Sequence, residues 1–220
     1  MLNVVITGAN RGIGLALVKQ YIAMGHIVYA LCRSSSNELN QTRAVVIDNV
    51  DVSNVEALQH NLEKVLAINI DVLINNAGVL ADESLHSMSA ITIEYQFKVN
   101  ALGPLLITHI LKEQLSHGAK VALITSRMGS VADNTSGGRY GYRMSKAALN
   151  SAGVSLAHDL KPLGVAVALL HPGYVQTEMV NHNGDISATQ AASRLIKRID
   201  ELNLDNSGSF WHANGEILPW

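Results

Sequence analysis

The sequence predicts a doubly wound α/β fold, in which one parallel sheet carries helices on both faces. Three observations predict it. Short, β-branched apolar runs of strand length alternate along the chain with longer helix-like stretches. The apolar runs are nearly continuous rather than alternating with polar residues, as strands buried on both faces read. The length of 220 residues suits one such unit.

The strands are expected at Val4–Thr7, Ile27–Cys32, Ala44–Asp48, Val72–Asn75, Val121–Thr125 and Val165–Leu170, each bounded by turn or polar residues. A last strand is expected within Gly208–His212. Between them Ile13–Met24, Val55–Ile68, Ile91–Gln114 and Tyr142–Leu160 read as helices, and Ser187–Leu202 as another with a serine N-cap. No Pro- or Ser-rich linker and no fixed-period repeat divides the chain, so residues 1–220 are expected to form one domain. His182–Asp185 reads as the least ordered stretch.

Composition narrows the function. Hydrophobic residues make up 48% and charged residues 15%, ample for a packed core. A formal charge of −2 lacks the basic surplus that nucleic acid or an acidic membrane would attract. The lone cysteine, Cys32, allows no internal disulfide. No run of 18 apolar residues and no basic leader with a cleavage site is visible, so a cytoplasmic protein is expected. Nine histidines are scattered without metal-ligand spacing, so no metal site is expected.

Chemistry gathers at the expected carboxyl ends of the strands, where open α/β sheets bind ligands. Thr7-Gly8-Ala9-Asn10-Arg11-Gly12-Ile13-Gly14 joins the first strand to the first helix. Glycines there permit a sharp turn, close backbone approach to a pyrophosphate and close helix–strand packing, while the helix N-terminus offers free N–H groups. An ordinary strand-to-helix turn would use glycine too. The second strand ends in Arg33-Ser34-Ser35-Ser36, without the acid that would hold the ribose 2′-hydroxyl of NAD. Arg33 and Arg11 instead suit a 2′-phosphate, so NADP(H) is the expected cofactor; a solvated loop arginine is the duller reading. Asp51 and Val52 follow the third strand and could face an adenine, although Asp51 would also serve as a helix cap.

Tyr142 and Lys146 stand four apart, on one helix face. Around them, in chain order, are Asn75-Asn76-Ala77-Gly78 at the end of the fourth strand, Asn100 in the following helix, Ser126 beyond the fifth strand and Pro172-Gly173 beyond the sixth. This ordered set, from Thr7 to Thr177, resembles the short-chain dehydrogenase/reductase family, whose Rossmann-like fold matches the one expected here. More narrowly, Ser126–Ser130, Asp133–Gly138, His171–Thr177 and the ending Phe210–Trp220 are similar to the bacterial C-factor-like members.

The resemblance implies an oxidoreductase that moves a hydride between NADP(H) and a ketone, aldehyde or quinone, or the corresponding alcohol. Tyr142 would exchange the proton with the substrate oxygen. Lys146 would lower the phenol pKa by its charge and hold the nicotinamide ribose. Ser126 would polarise the substrate oxygen, and Asn100 would hold a water that links Lys146 to solvent. Asn76, Ala77 and Gly78 would line the adenine-ribose side. Pro172, Gly173, Val175 and Thr177 would meet the nicotinamide carboxamide or the phosphates. A homodimer or homotetramer through the two long helices is implied as well.

Two departures stand out. Ser126 lies 16 residues before Tyr142, a wide gap for the family, and Ser130 is a rival hydroxyl. Thr177 and Ser187 are only ten positions apart where many members insert a lid, so an open site is expected. A dinucleotide-binding signalling or regulatory protein on the same fold is the alternative function.

Overall fold

In the computed structural model, which describes residues 1–220, the parallel strands assemble in the order β3-β2-β1-β4-β5-β6-β9. These are β1 (Asn3–Thr7), β2 (Ile27–Leu31), β3 (Val45–Ile47), β4 (Ile70–Asn75), β5 (Leu115–Ile124), β6 (Ala166–His171) and β9 (Phe210–His212). Every pairing is parallel, as crossover helices require. The order reverses between β1 and β4, which places a crevice at their carboxyl ends.

Strand side chains alternate between two cores. Val5, Leu73, Leu123 and Leu169 pack on one face with α3 (Val55–Asn61), α4 (Glu63–Leu66), α6 (Gly103–Leu111) and α7 (Tyr140–Leu160). Val4, Ile6, Ile74 and Leu170 pack on the other with α1 (Gly12–Ala23) and α8 (Ala188–Glu201). Both faces of the central strands are therefore dry, and their sequences need no polar alternation. A capping box at Ser187 and Gln190 starts α8.

Several elements differ from expectation for identifiable reasons. The helix expected over Ile91–Gln114 is broken. It runs as α5 (Ala90–Phe97), a π-turn over Lys98–Leu102, then α6 and a closing 3-10 turn. Pro104 has no N–H to give the carbonyl four residues back, at Asn100. The ladder widens there, and Gly103 N bonds Lys98 O instead. The helix expected over Val55–Ile68 divides at Leu62 into α3 and α4. A short helix, α2 (Asn37–Asn40), forms where none was expected, capped by Ser36 onto Leu39 N. β5 starts well before Val121, across a register shift opposite Ile70–Val72.

The His182–Asp185 stretch is a turn tied back to the chain. Asp185 N and Ile186 N both bond Tyr174 O, and β7 (Val175–Gln176) pairs with β8 (Ile186–Ser187). No helix is long and apolar enough to cross a membrane.

Candidate active site

The carboxyl ends of β1, β2, β4, β5 and β6 surround a cleft of about 500 Å³. Gly8, Asn10, Arg11, Gly12 and Ile13 line it from the glycine turn, and Arg33, Asp51 and Val52 from the loops beyond β2 and β3. Asn76, Ala77 and Gly78 line it from the end of β4, Thr177 lies beside Gly12 of the glycine turn, and Tyr142, Lys146 and Pro172 complete the lining.

The glycine turn is built around close contacts. Gly8 has φ +63°, and a Cβ there would lie 2.8 Å from Ala77 Cα. Asn76 stitches the turn to the end of β4. Its Nδ2 donates to Thr7 O at 3.0 Å and to Gly8 O at 3.1 Å, while its backbone N–H donates to Thr7 Oγ1. Asn76 is thus a brace beneath the cleft as well as part of its wall. Neither a capping side chain nor an acid occupies the first turn of α1, so its N–H groups face the cleft free for an anion. A cradle with glycine backbone, helix N-terminus and basic side chains fits the pyrophosphate and phosphate of a dinucleotide.

Arg33 donates to Tyr95 Oη at 3.1 Å, which holds the guanidinium over the cleft. Arg11 forms an ion pair with Glu178, from the segment after Thr177. That pair bridges the cleft mouth, and Met179 and His182 add to the same wall. The short segment between Thr177 and Ser187 therefore contributes Glu178, Met179 and His182 to the cleft wall. Asp51 caps no helix: its Oδ1 accepts from Ser53 N and Oγ in a local turn, and Asn54 caps α3.

At the far end Tyr142 and Lys146 rise from α7, both buried. Lys146 Nζ donates to Ile124 O at 2.8 Å and lies 5.8 Å from the centroid of the Tyr142 ring. Burial pushes its pKa down to about 7. Burial also raises the Tyr142 phenol, against smaller downward pulls from a Ser126 hydrogen bond and the Arg139 charge. Lys146 was expected to lower the phenol, but desolvation dominates. Ser126 Oγ accepts from Met128 N at 3.1 Å, which leaves its own proton free to donate toward the phenol oxygen. The rival Ser130 Oγ likewise accepts one backbone N–H, that of Asp133, but it is Ser126 that lies within hydrogen-bond reach of the phenol.

Asn100 sits in the π-turn, fully buried. Its Oδ1 accepts from Val79 N, and its Nδ2 donates to Val79 O and to Ser145 Oγ, which in turn donates to Tyr142 O. Both Asn100 N–H groups are taken, and Oδ1 keeps one lone pair. A Cβ at Gly78 would lie 3.4 Å from Asn100 Oδ1 and 3.7 Å from Lys146 Nζ, so the three meet at one point.

Five of the expected residues, Gly14, Asn100, Ser126, Gly173 and Val175, do not line the cleft. Gly14 packs under the glycine turn, Asn100 and Ser126 back Lys146 and Tyr142, and Val175 is buried in β7. Gly173 has φ +94° and turns the chain beside His212. Sequence reasoning missed Cys32, Tyr95, Thr125, Gln176, Glu178, Met179 and His182 in the wall. Thr125 and Glu178 adjoin motif residues and were within reach; Tyr95 carries no local signal. Cys32 is an inert member, because burial and the adjacent Asp48 carboxylate push its thiol pKa up to about 12.

A dinucleotide-shaped cleft at the switch point of a parallel sheet, with a tyrosine–lysine–serine group at one end, defines a class of nicotinamide oxidoreductases. The chain belongs to the short-chain dehydrogenase family, whose pattern, described as short chain dehydrogenase, matches residues 2–188. It is similar to the 1-hydroxy-2-glutathionyl-2-methyl-3-butene dehydrogenase of a Rhodococcus species, at 39% identity over the whole of both chains. It is similar to the C-signal protein of Myxococcus xanthus, at 45% identity over 69% of this chain and 93% of that one. Among solved structures, a carbonyl reductase from Pseudomonas aeruginosa in complex with NADP superposes over all of both chains, with a TM-score of 0.86 and 29% identity.

Proposed function

We propose that this protein is an NADP(H)-dependent carbonyl reductase or alcohol dehydrogenase acting on a ketone, aldehyde or quinone. The observation that carries this reading is a cleft lined by Tyr142 and Lys146, with Ser126 within hydrogen-bond reach of the phenol, and by Arg33, in a stretch from Arg33 to Ser36 that holds no acid. NADPH, when bound, supplies the hydride.

The chain's own groups handle the proton. In reduction, the Tyr142 phenol gives its proton to the carbonyl oxygen. Its raised pKa suits that direction, because the phenol stays protonated until the substrate needs it. Ser126, within hydrogen-bond reach of the phenol, would stabilise the negative charge that develops on the oxygen. Lys146, with a pKa of about 7, loses and regains a proton readily near neutrality, so it restores the phenol. Asn100 Oδ1 keeps a lone pair for a water that would pass the proton outward.

A second hollow lies between Asp82–Ser84 and Ser136–Arg139, with Met128 its one hydrophobic side chain, and the Arg139 charge in its wall acts on the Tyr142 phenol. It is where the bulk of a substrate fits, and its polarity favours oxygen-rich carbonyl compounds over hydrocarbons.

The test is NADPH oxidation by the purified protein against a panel of ketones, aldehydes and quinones. Turnover of at least one class is expected. The similarity to the C-signal protein favours a second reading, a dinucleotide-binding signalling protein. Tight NADPH binding with no turnover across the panel would select it.

A further inference from the structure

We propose that the Glu83 carboxylate is the N-terminal cap of the catalytic helix α7 and thereby positions the Tyr142 hydroxyl. The proposal rests on the reading of Tyr142 as the proton donor.

The helix of 21 residues begins without a cap of its own. Arg139 precedes it in the left-handed conformation, with φ 51° and no side-chain bond to the first turn, which contains no acid. Glu83, 58 positions earlier in the chain, supplies what is missing. Its Oε2 accepts from Gly141 N at 3.2 Å, and its backbone oxygen accepts from Arg139 N at 2.7 Å. Its Oε1 accepts from Thr92 Oγ1 at 2.9 Å and from Gln96 Nε2 at 2.6 Å, both on α5.

Glu83 is only 5% exposed, and no basic side chain pairs with it. A buried carboxylate without a counter-ion is costly unless donors surround it. Here three donors and the positive end of a long helix do so. The residue after Tyr140 is shaped to the contact. A Cβ at Gly141 would lie 2.4 Å from Gln96 Nε2 and 3.1 Å from Glu83 Oε1. The first turn of α7 is therefore pressed onto the carboxylate one residue before Tyr142. Glu83 and Arg139 also wall the second hollow, so the device ties the substrate end of the site to the catalytic helix. Glu83 touches no reacting atom; it acts as a positioning residue.

The test compares the full-length wild-type protein with Glu83→Gln, Glu83→Ala and Gly141→Ala. Activity is expressed per NADPH-binding site, so a variant that folds poorly is corrected for. Expected for Glu83→Ala and Gly141→Ala is a fall in kcat of roughly 10- to 100-fold, as for a small misplacement of a reacting group. Unchanged NADPH affinity and a smaller loss in Glu83→Gln are also expected. In alcohol oxidation, the rising limb of the pH profile should move to higher pH. The displaced phenol would lose Ser126 and Arg139, the two influences that lower its pKa. Variants with wild-type kcat per site and an unmoved pH profile would overturn the proposal while leaving the catalytic reading intact. A wild-type protein without turnover on any carbonyl would overturn both.

Discussion

On the proposed reading, Arg33 decides the cofactor. Its guanidinium is steadied by Tyr95 at the end of β2, where an acid would otherwise select NAD. Arg33→Asp should lower the kcat/KM ratio of NADPH over NADH by roughly 10- to 100-fold, the worth of a charge-assisted contact. An unchanged ratio would assign the 2′-phosphate to another group. His171 makes a second prediction. Its ring meets His212 edge to face, and its buried Nδ1 has no partner. Burial, reinforced by the His212 and Arg127 charges, holds its pKa at about 3 against an ordinary 6.5. Between those values the unfolded chain takes up a proton that the folded chain refuses. Stability therefore rises with pH through this window and falls on acidification, by up to a few kcal/mol. His171→Leu should flatten that part of the Tm-versus-pH curve, and an unchanged slope would contradict the assignment. Single residues of this kind were legible in the sequence only where a motif marked them. Tyr142, Lys146 and Arg33 lie at predictable points of the fold. The His171–His212 contact and the Tyr95 brace join residues far apart in the chain, and no local pattern announces them.

The glycine turn shows how one element carries a site. A Cβ at Gly14 would lie 2.1 Å from Gly8 O and 2.7 Å from Asn76 Nδ2. Gly14→Ala should push α1 away from β1, cost about 1–3 kcal/mol of stability and weaken NADPH binding. Thermal unfolding and NADPH titration would measure both, and wild-type values in the two would refute the packing role. Elements with a strong period or cap could be read from the chain. The buried strands show as continuous apolar runs, and Ser187 marks the start of α8. The π-turn at Asn100 could not be read so, because its cause is a proline four residues later acting on a backbone carbonyl. The segment after Thr177 was judged only by its length. Its β7–β8 pairing and the Arg11–Glu178 ion pair, which bring it to the cleft wall, are tertiary features.

At the scale of the whole molecule, the two halves of the sheet divide the labour. On the proposed reading, the ends of the strands from β3 to β4 carry the cradle for a dinucleotide, and α7, with Ser126 just beyond β5, carries the proton chemistry beside it. The two meet at the switch point, which is why motifs spread from Thr7 to Thr177 form one site. The most direct test of the central claim is the kcat of Tyr142→Phe, measured by NADPH oxidation on the best wild-type carbonyl substrate, together with its NADPH affinity. Removal of the proton donor should lower kcat by roughly 10²- to 10⁴-fold while NADPH binds as before. Wild-type turnover by the phenylalanine variant would contradict the assignment of Tyr142 as the acid.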